Sequence, residues 1–510
     1  MRISSGKSIE KNISMSVVSR IVTLITGLII QHYILVDFGS TLNGLTSSIS
    51  QVMQYLILLE AGLGTASIQA MYSPLADNDW NKISGIFTAT DVEYKKIARI
   101  FMLMLFAVSL ILPFAVSSEV EYKIAAVLTL VTGLSYVVGY IFGGKYKAVL
   151  SADRKMYILY DLDILSNVLS CVFRCLALYL GAGIILVQMV HLGSICVKNI
   201  GYVAYVKKKY KNIEYKAVPD LKAIGKRWSV LIHNIAGIVV NNTDIMILTI
   251  FGSLKTVSVY SVYNLVFGQL STTIYFAFWQ APQASFGRIY NKDKKEFEHY
   301  YGIYETAFTV MLYIITAIAL IMILPFVSVY TKGVTDINYI DFRLPILFGL
   351  ILLMNQIRVP TLMTINVVGD FKETQTGAIL EAVINLSVSL ILFFFTDLGL
   401  YGLLIGTVAS YIYRTTDVIV YTYRHILQRS FIILIRTIAV NSAVLVGLYV
   451  IFDIFYPVHT GSIWPWILKA IVVTIITIAA FFIGNYVFNH KEISKVISFG
   501  KSAIKNRLKK

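Results

Sequence analysis

The sequence predicts an all-α, polytopic membrane protein with about fourteen transmembrane helices. Three observations lead there. Of the 510 residues, 57% are hydrophobic and only 14% are charged, against ~25% charged in an average soluble protein. Apolar runs long enough to cross a bilayer, about 20 residues each, recur to the end of the chain. Lys and Arg are distributed unevenly between alternate connecting segments. This composition excludes a soluble globular enzyme, and it excludes disorder, which requires low hydrophobicity and high charge.

The first apolar run, 13–36, follows a basic segment, 1–12. It is too long for the 7–15-residue apolar region of a cleavable signal, so it reads as a permanent span. The following spans are 45–70, 97–117, 123–143, 157–180 and 184–206. After a polar stretch come 228–251, 257–282, 304–330, 343–368, 374–396, 400–422, 431–452 and 464–488. Transmembrane strands are excluded because they alternate in polarity over about ten residues.

With the N-terminus in the cytoplasm, 34 of the 44 Lys and Arg residues fall in cytoplasmic segments and 4 in external ones. The other six, Arg20, Arg174, Lys198, Arg358, Arg414 and Lys469, lie within spans. This asymmetry is the positive-inside rule, and it places both termini in the cytoplasm. The net charge of +16 is therefore a sidedness signal and gives no reason to expect nucleic acid. The run 207–211 also suits anionic lipid headgroups. The stretch from Gly287 to Tyr301 reads as one helix on the cytoplasmic membrane surface. Cys171, Cys175 and Cys196 lie in apolar surroundings and read as packing residues.

An internal repeat sets the organisation. Displaced by 213 residues, 15–45 matches 228–258 at 8 of 31 positions, and Phe38-Gly39-Ser40 meets Phe251-Gly252-Ser253. The displacement joins spans of like direction, so the repeat is parallel. The expected domains are a six-helix lobe (1–206), a basic cytoplasmic linker (207–227), a second six-helix lobe (228–422), two further transmembrane helices (423–488) and a basic tail (489–510).

Ionisable groups in hydrocarbon are costly and usually face a bundle interior or a wet cavity. On span one, Ser16, Arg20, Thr23, Gly27 and Gln31 share a helical face. In the repeat, His233 stands opposite Arg20 and Asp244 opposite Gln31, with Asn241 close by. Polar stripes in both copies argue for a central cavity. The candidate substrate-binding residues are Arg20, Gln31, His233, Asn241 and Arg174, and the candidate ion-coupling residues are Glu60 and Asp244. Glu60 shares a face with Gly64 and Ser67. Asp244 lies near the outer end of its span, where it is also placed to reach outer water. Arg414 and Asp417 are spaced to pair. Pro360 frees backbone carbonyls for Arg358, and Glu381 is its expected neighbour. No phosphate loop, zinc-protease helix or serine-nucleophile motif is present, which argues against an ATP-driven pump and favours transport over catalysis.

Several strings resemble a known family. Leu59-Glu60-Ala61-Gly62-Leu63-Gly64, Tyr72 to Asp77, Tyr330 to Tyr339, Gly369 to Gln375 and Glu381 to Asn385 are similar to the polysaccharide transport branch of the multidrug/oligosaccharidyl-lipid/polysaccharide exporter superfamily. That resemblance implies two six-helix lobes around a central cavity, plus two C-terminal helices. It also implies a flippase that moves undecaprenyl-pyrophosphate-linked oligosaccharide units from the inner to the outer leaflet, with Arg20 suited to the pyrophosphate. The chain departs in one respect, since span seven offers His233 where a stronger cation would be expected. The alternatives are a cation-coupled drug or small-molecule exporter of the same superfamily and a non-catalytic scaffold of polysaccharide assembly. No cofactor or metal is expected; an H+ or Na+ gradient is the expected energy source. Expected partners are the lipid-linked glycan, membrane lipids, and a polysaccharide polymerase with glycosyltransferases.

Overall fold

The computed structural model describes residues 2–60, 62–227, 242–370, 372–455 and 462–508. The described residues are helical with short connections. Eleven helices are long and apolar enough to cross a membrane. The first of these, α1 (Arg2–Ile57), contains the first expected span and the first half of the second. A straight helix of its 56 residues would run ~84 Å at 1.5 Å per residue, far beyond a hydrocarbon core of about 30 Å. Gly39 breaks it, with φ 78° and ψ 178°, a backbone conformation that side chains resist. The matching string in the repeat also ends a helix, α8 (Asn242–Phe251), and α9 (Leu254–Tyr275) begins just beyond it.

The chain divides into two compact units, Met1–Ser258 and Val259–Lys510. Unit 1 continues with α2 (Leu63–Asp77), α3 (Trp80–Ala115), α4 (Tyr122–Phe142), α5 (Gly144–Ala152), α6 (Met156–Tyr179) and α7 (Ile184–Lys209). Its core runs through Leu45, Ile49, Met53, Leu63, Phe87 and Phe101, all at most 1% exposed. The second half of α1 packs along the segment that ends in α9. Asn43 donates to Ser258 at 2.6 Å and Ser48 meets Thr249 at 2.6 Å. Gly44 allows this approach, because a Cβ there would stand 1.8 Å from the Leu254 carbonyl oxygen. The basic stretch 207–227 packs on unit 1. Glu214 N donates to Ser84 Oγ at 2.9 Å and Asp220 N to the Gly85 carbonyl at 3.0 Å, while Ile213 and Ile224 are buried.

Unit 2 holds most of α9, then α10 (Ala281–Lys292), α11 (Lys294–Tyr330), α12 (Arg343–Ile357), α13 (Val359–Val368), α14 (Gln375–Phe395) and α15 (Leu400–Tyr421). It ends in α16 (Ile432–Phe455), α17 (Ile463–Phe488) and α18 (His490–Leu508). Helices α16 and α17 pack on α11. They are joined by asparagines: Asn485 donates to Asn441 at 2.8 Å and Asn489 to Asn485 at 3.0 Å. Side-chain amides joining helices in this way are a common glue within membranes. Around both units large apolar side chains face outward, among them Leu103, Phe114, Phe395 and Trp464, each at least 70% exposed. Apolar groups outside and hydrogen-bonded polar groups inside are the arrangement a bilayer requires.

The structure corrects two local expectations. The span expected over 45–70 is interrupted: α1 gives way to a tight turn at Leu58–Glu60, and Gly62 has φ 84° before α2 starts. The surface helix expected over Gly287 to Tyr301 is broken at Asp293, whose carboxylate accepts the amides of Lys295 and Glu296 and so starts α11. The span expected over 343–368 is present as Arg343–Val368, with a one-residue break at Arg358 next to Pro360. Asn43, which lies between the first two expected spans, is only 1% exposed, whereas Lys123, in the next expected external segment, is exposed. Single cysteines at Lys123 and Asn212, in a chain lacking Cys171, Cys175 and Cys196, are expected to react from opposite sides of intact cells. Labelling of both by one impermeant reagent would contradict the fourteen-span arrangement.

Candidate functional site

Unit 1 carries a polar interior built mainly on α1, α5, α6 and α7. Helix α1 packs on α6. Asn12 holds the start of α6 by donating to the Arg154 carbonyl at 2.9 Å and accepting the Tyr157 amide at 2.8 Å. One turn beyond Arg20, Thr23 accepts from Asn167 at 2.8 Å. Arg20 itself is half-buried and interacts with Tyr160, which in turn lies near Asp163. Gly27, on the same stripe, has open space where a Cβ would be, and Gln31 is half-buried.

A second polar seam runs between α6 and α7. From one end to the other, Arg174 meets Gln188 at 3.5 Å, Ser170 meets His191 at 3.2 Å and Ser166 donates to the Ser194 carbonyl at 3.0 Å. Lys198 then pairs with Asp163 at 3.1 Å, and Tyr202 reaches the same carboxylate at 3.3 Å. The spacing 163, 166, 170, 174 keeps one face of α6 in register with one face of an antiparallel α7. Arg174 was legible in the sequence as an intramembrane cation. Its partner Gln188 carried no sequence signal beyond polarity.

Glu60 accepts a hydrogen bond from Tyr94 at 2.7 Å. The break at Gly62 means that Glu60, Gly64 and Ser67 do not share a continuous helix face. The fold-back still places Gly64 beside the carboxylate, 3.6 Å from Glu60 Oε1 to a Cβ built there. Ser67 accepts from Thr90 at 3.0 Å. No Lys, Arg or His among the described residues lies within ion-pair distance of Glu60. Lys147, on α5, interacts with both Glu60 and Asp163. Burial, followed by repulsion from Lys198, holds the Lys147 ammonium below the ordinary lysine range, and the two carboxylates oppose this. Asp244 is 4% exposed and so does not reach outer water; its neighbour Thr243 meets the Tyr55 hydroxyl at 3.3 Å. His233 and Asn241 lie outside the described residues.

Unit 2 carries a buried ionic network. Arg358 donates to Glu381 at 2.6 Å and to Asn355 at 2.8 Å. The guanidinium therefore takes side chains rather than the carbonyls freed by Pro360. Arg414 lies 3.7 Å from the other Glu381 oxygen and 2.6 Å from Asp417, which matches the spacing read from the sequence. Arg358, Glu381 and Arg414 are each at most 8% exposed. Two cations and two carboxylates balance, so this network is suited to holding α12, α14 and α15 together. Removing one member of a buried pair typically costs ~3–5 kcal/mol, while replacing both by apolar residues is often tolerated. Glu381→Gln is accordingly expected to lower the thermal unfolding midpoint in detergent, and Arg358→Met with Glu381→Met to recover most of the loss. An unchanged midpoint in Glu381→Gln would remove the network from the account of stability.

Solved structures share this fold. The lipid II flippase MurJ, in an inward closed conformation, matches with a TM-score of 0.68 at 13% identity, over 94% of this chain and 99% of its own. An inward-facing multidrug resistance MATE family transporter of the MOP superfamily matches with a TM-score of 0.62 at 15% identity, over 81% and 98%. A MOP superfamily transporter from Pyrococcus furiosus, whose structure is described by the reverse polarity of its binding pocket, matches with a TM-score of 0.51 at 15% identity, over 81% and 95%. No protein-family model and no curated protein sequence matches the chain. At these identities the likeness is one of fold: the chain is an all-helical, multi-pass membrane protein with the architecture of MATE transporters and of MurJ.

Proposed function

We propose that this protein is a flippase for undecaprenyl-pyrophosphate-linked oligosaccharide units, working in the cytoplasmic membrane with both termini inside, for surface polysaccharide export. The observation that carries this reading is the charge of the unit 1 interior. Arg20, Arg174 and Lys198 lie half-buried within its helices, with Glu60, Asp163 and the buried Asp244 among them. Cations held within the spans suit an anionic pyrophosphate headgroup and oppose a cationic drug. Guanidinium matches phosphate oxygens with two parallel hydrogen bonds, a geometry that lysine lacks.

The drug-exporter reading keeps support from the fold it shares with MATE transporters and from the carboxylates Glu60 and Asp244. In the flippase reading these carboxylates couple transport to an H+ or Na+ gradient. Glu60 is the first choice, because its described partner is a neutral hydroxyl and not an arginine. A polymerase and glycosyltransferases are the partners this pathway requires.

Surface-polysaccharide complementation, with membrane levels checked for each variant, tests the two roles. Arg20→Ala is expected to abolish export, Arg20→Lys to retain part and Arg20→Glu to be worst. One charged hydrogen bond contributes ~1.5–3 kcal/mol, a ten- to hundredfold change in affinity. If Arg20 only snorkels to the interface, Arg20→Lys will be silent and Arg20→Gln mild. Glu60→Gln is expected to block turnover at normal protein level, since an amide cannot lose and regain a cation. Full transport by both Glu60→Gln and Asp244→Asn would overturn the coupling role.

A further inference from the structure

We infer that a recess between α11, α16 and α17 is a site for a membrane phospholipid whose headgroup carries both a phosphate and a primary ammonium. The recess lies wholly within unit 2, and the inference does not depend on the cargo proposed above. It starts from Lys469, the intramembrane cation that neither the unit 1 interior nor the Arg358 network takes in. The recess has a volume of about 370 Å³, within the range of small-ligand sites. Its walls are apolar side chains of α11 and Phe452 of α16. Its polar groups are Tyr449 and Asp453 of α16 and Lys469 of α17. Lys469 is 8% exposed, whereas Asp453 is exposed and marks the open side.

Local sequence gives the α11 wall a polar group as well. Pro325 stands inside α11. Proline has no amide hydrogen, so the Ile321 carbonyl, one turn earlier, loses its helical donor. Ile321 and Pro325 both line the recess, which puts an acceptor in an otherwise apolar wall. The depth suits a headgroup. Trp466 Nε1 donates to the Met322 carbonyl at 3.3 Å and ties α17 to α11, and Trp464 faces outward. Tryptophans of this kind mark the membrane–water interface. Lys469 follows Trp464 by five residues, about 7.5 Å along the helix. Leu468, Val472 and Ile475 then form an exposed apolar face of α17, along which acyl chains can lie.

The charges select the occupant. A purely anionic headgroup would suit Lys469 and be repelled by Asp453, and a purely cationic one would reverse the problem. A headgroup with one charge of each sign answers both, its phosphate meeting Lys469 and its ammonium meeting Asp453. A primary ammonium has three N–H donors to share between the Asp453 carboxylate and the Ile321 carbonyl. A quaternary ammonium has none.

Native mass spectrometry on the purified, delipidated full chain in detergent tests this by titration with phosphatidylethanolamine, phosphatidylcholine and phosphatidylglycerol. The wild type is expected to hold one phosphatidylethanolamine about tenfold more tightly than either of the others. Asp453→Asn removes the acidic group. It is expected to weaken phosphatidylethanolamine about tenfold and to strengthen phosphatidylglycerol, so that their order inverts. Lys469→Gln is expected to weaken both. Thermal unfolding of each variant guards against misfolding. Should Lys469→Gln fail to fold, the inversion by Asp453→Asn, at an exposed position, decides alone. Equal binding of the three lipids by the wild type, or binding of none, would overturn the proposal. So would a phosphatidylethanolamine preference that is unchanged in either folded variant.

Discussion

Charge inside a membrane must be neutralised by something, and the two units meet that constraint differently. In unit 2 the chain supplies its own neutrality: Arg358 and Arg414 hold Glu381, Arg414 holds Asp417, and Glu305 is closed in by the Tyr301 and Tyr423 hydroxyls with Arg429 beside it. In unit 1 Arg174 is met by the neutral amide of Gln188 and Glu60 by a tyrosine hydroxyl. An isolated ion in low dielectric is far more expensive than a paired one. Charge met by neutral partners in unit 1 therefore implies access to water or to an anion that visits. That difference links the packing of the helices to the proposed cargo.

The same constraint explains how much of the fold was legible. Burial of backbone polar groups in lipid forces helices, so the apolar runs alone fixed the class. The Phe-Gly-Ser strings were readable as helix ends because glycine is the residue that tolerates φ 78° at Gly39. Arg414 with Asp417, and Arg358 with Glu381, were legible because two buried opposite charges at suitable spacing have few other solutions. The breaks at Gly62 and Asp293 were missed for a shared reason. Both lie inside stretches whose hydrophobic pattern continues across them, and only the local backbone and cap geometry interrupts the helix.

The candidate site was less legible than the fold. Arg20, Arg174, Glu60 and Asp244 stand out because a charge within an apolar run is conspicuous. Asp163, His191 and Lys198 do not form a linear motif; they line one seam only through the α6–α7 pairing. The 163, 166, 170, 174 spacing was a usable signal for the α6 face. Lys147 gave none, because its segment reads as an ordinary basic connection governed by the positive-inside rule. The fold itself is neutral on cargo, since MurJ and MATE transporters share it. Charge at the site has to make that distinction.

The central claim is that the cargo is an anionic lipid-linked glycan. It is tested most directly in vesicles reconstituted with the purified protein and given an H+ or Na+ gradient. A fluorescent polyprenyl-pyrophosphate oligosaccharide in one leaflet reports flipping through loss of accessibility to an external quencher, and a cationic dye in parallel reports drug export. The expected result is gradient-dependent movement of the lipid with no accumulation of dye. Dye transport without lipid movement would contradict the account and leave the drug-exporter reading in its place.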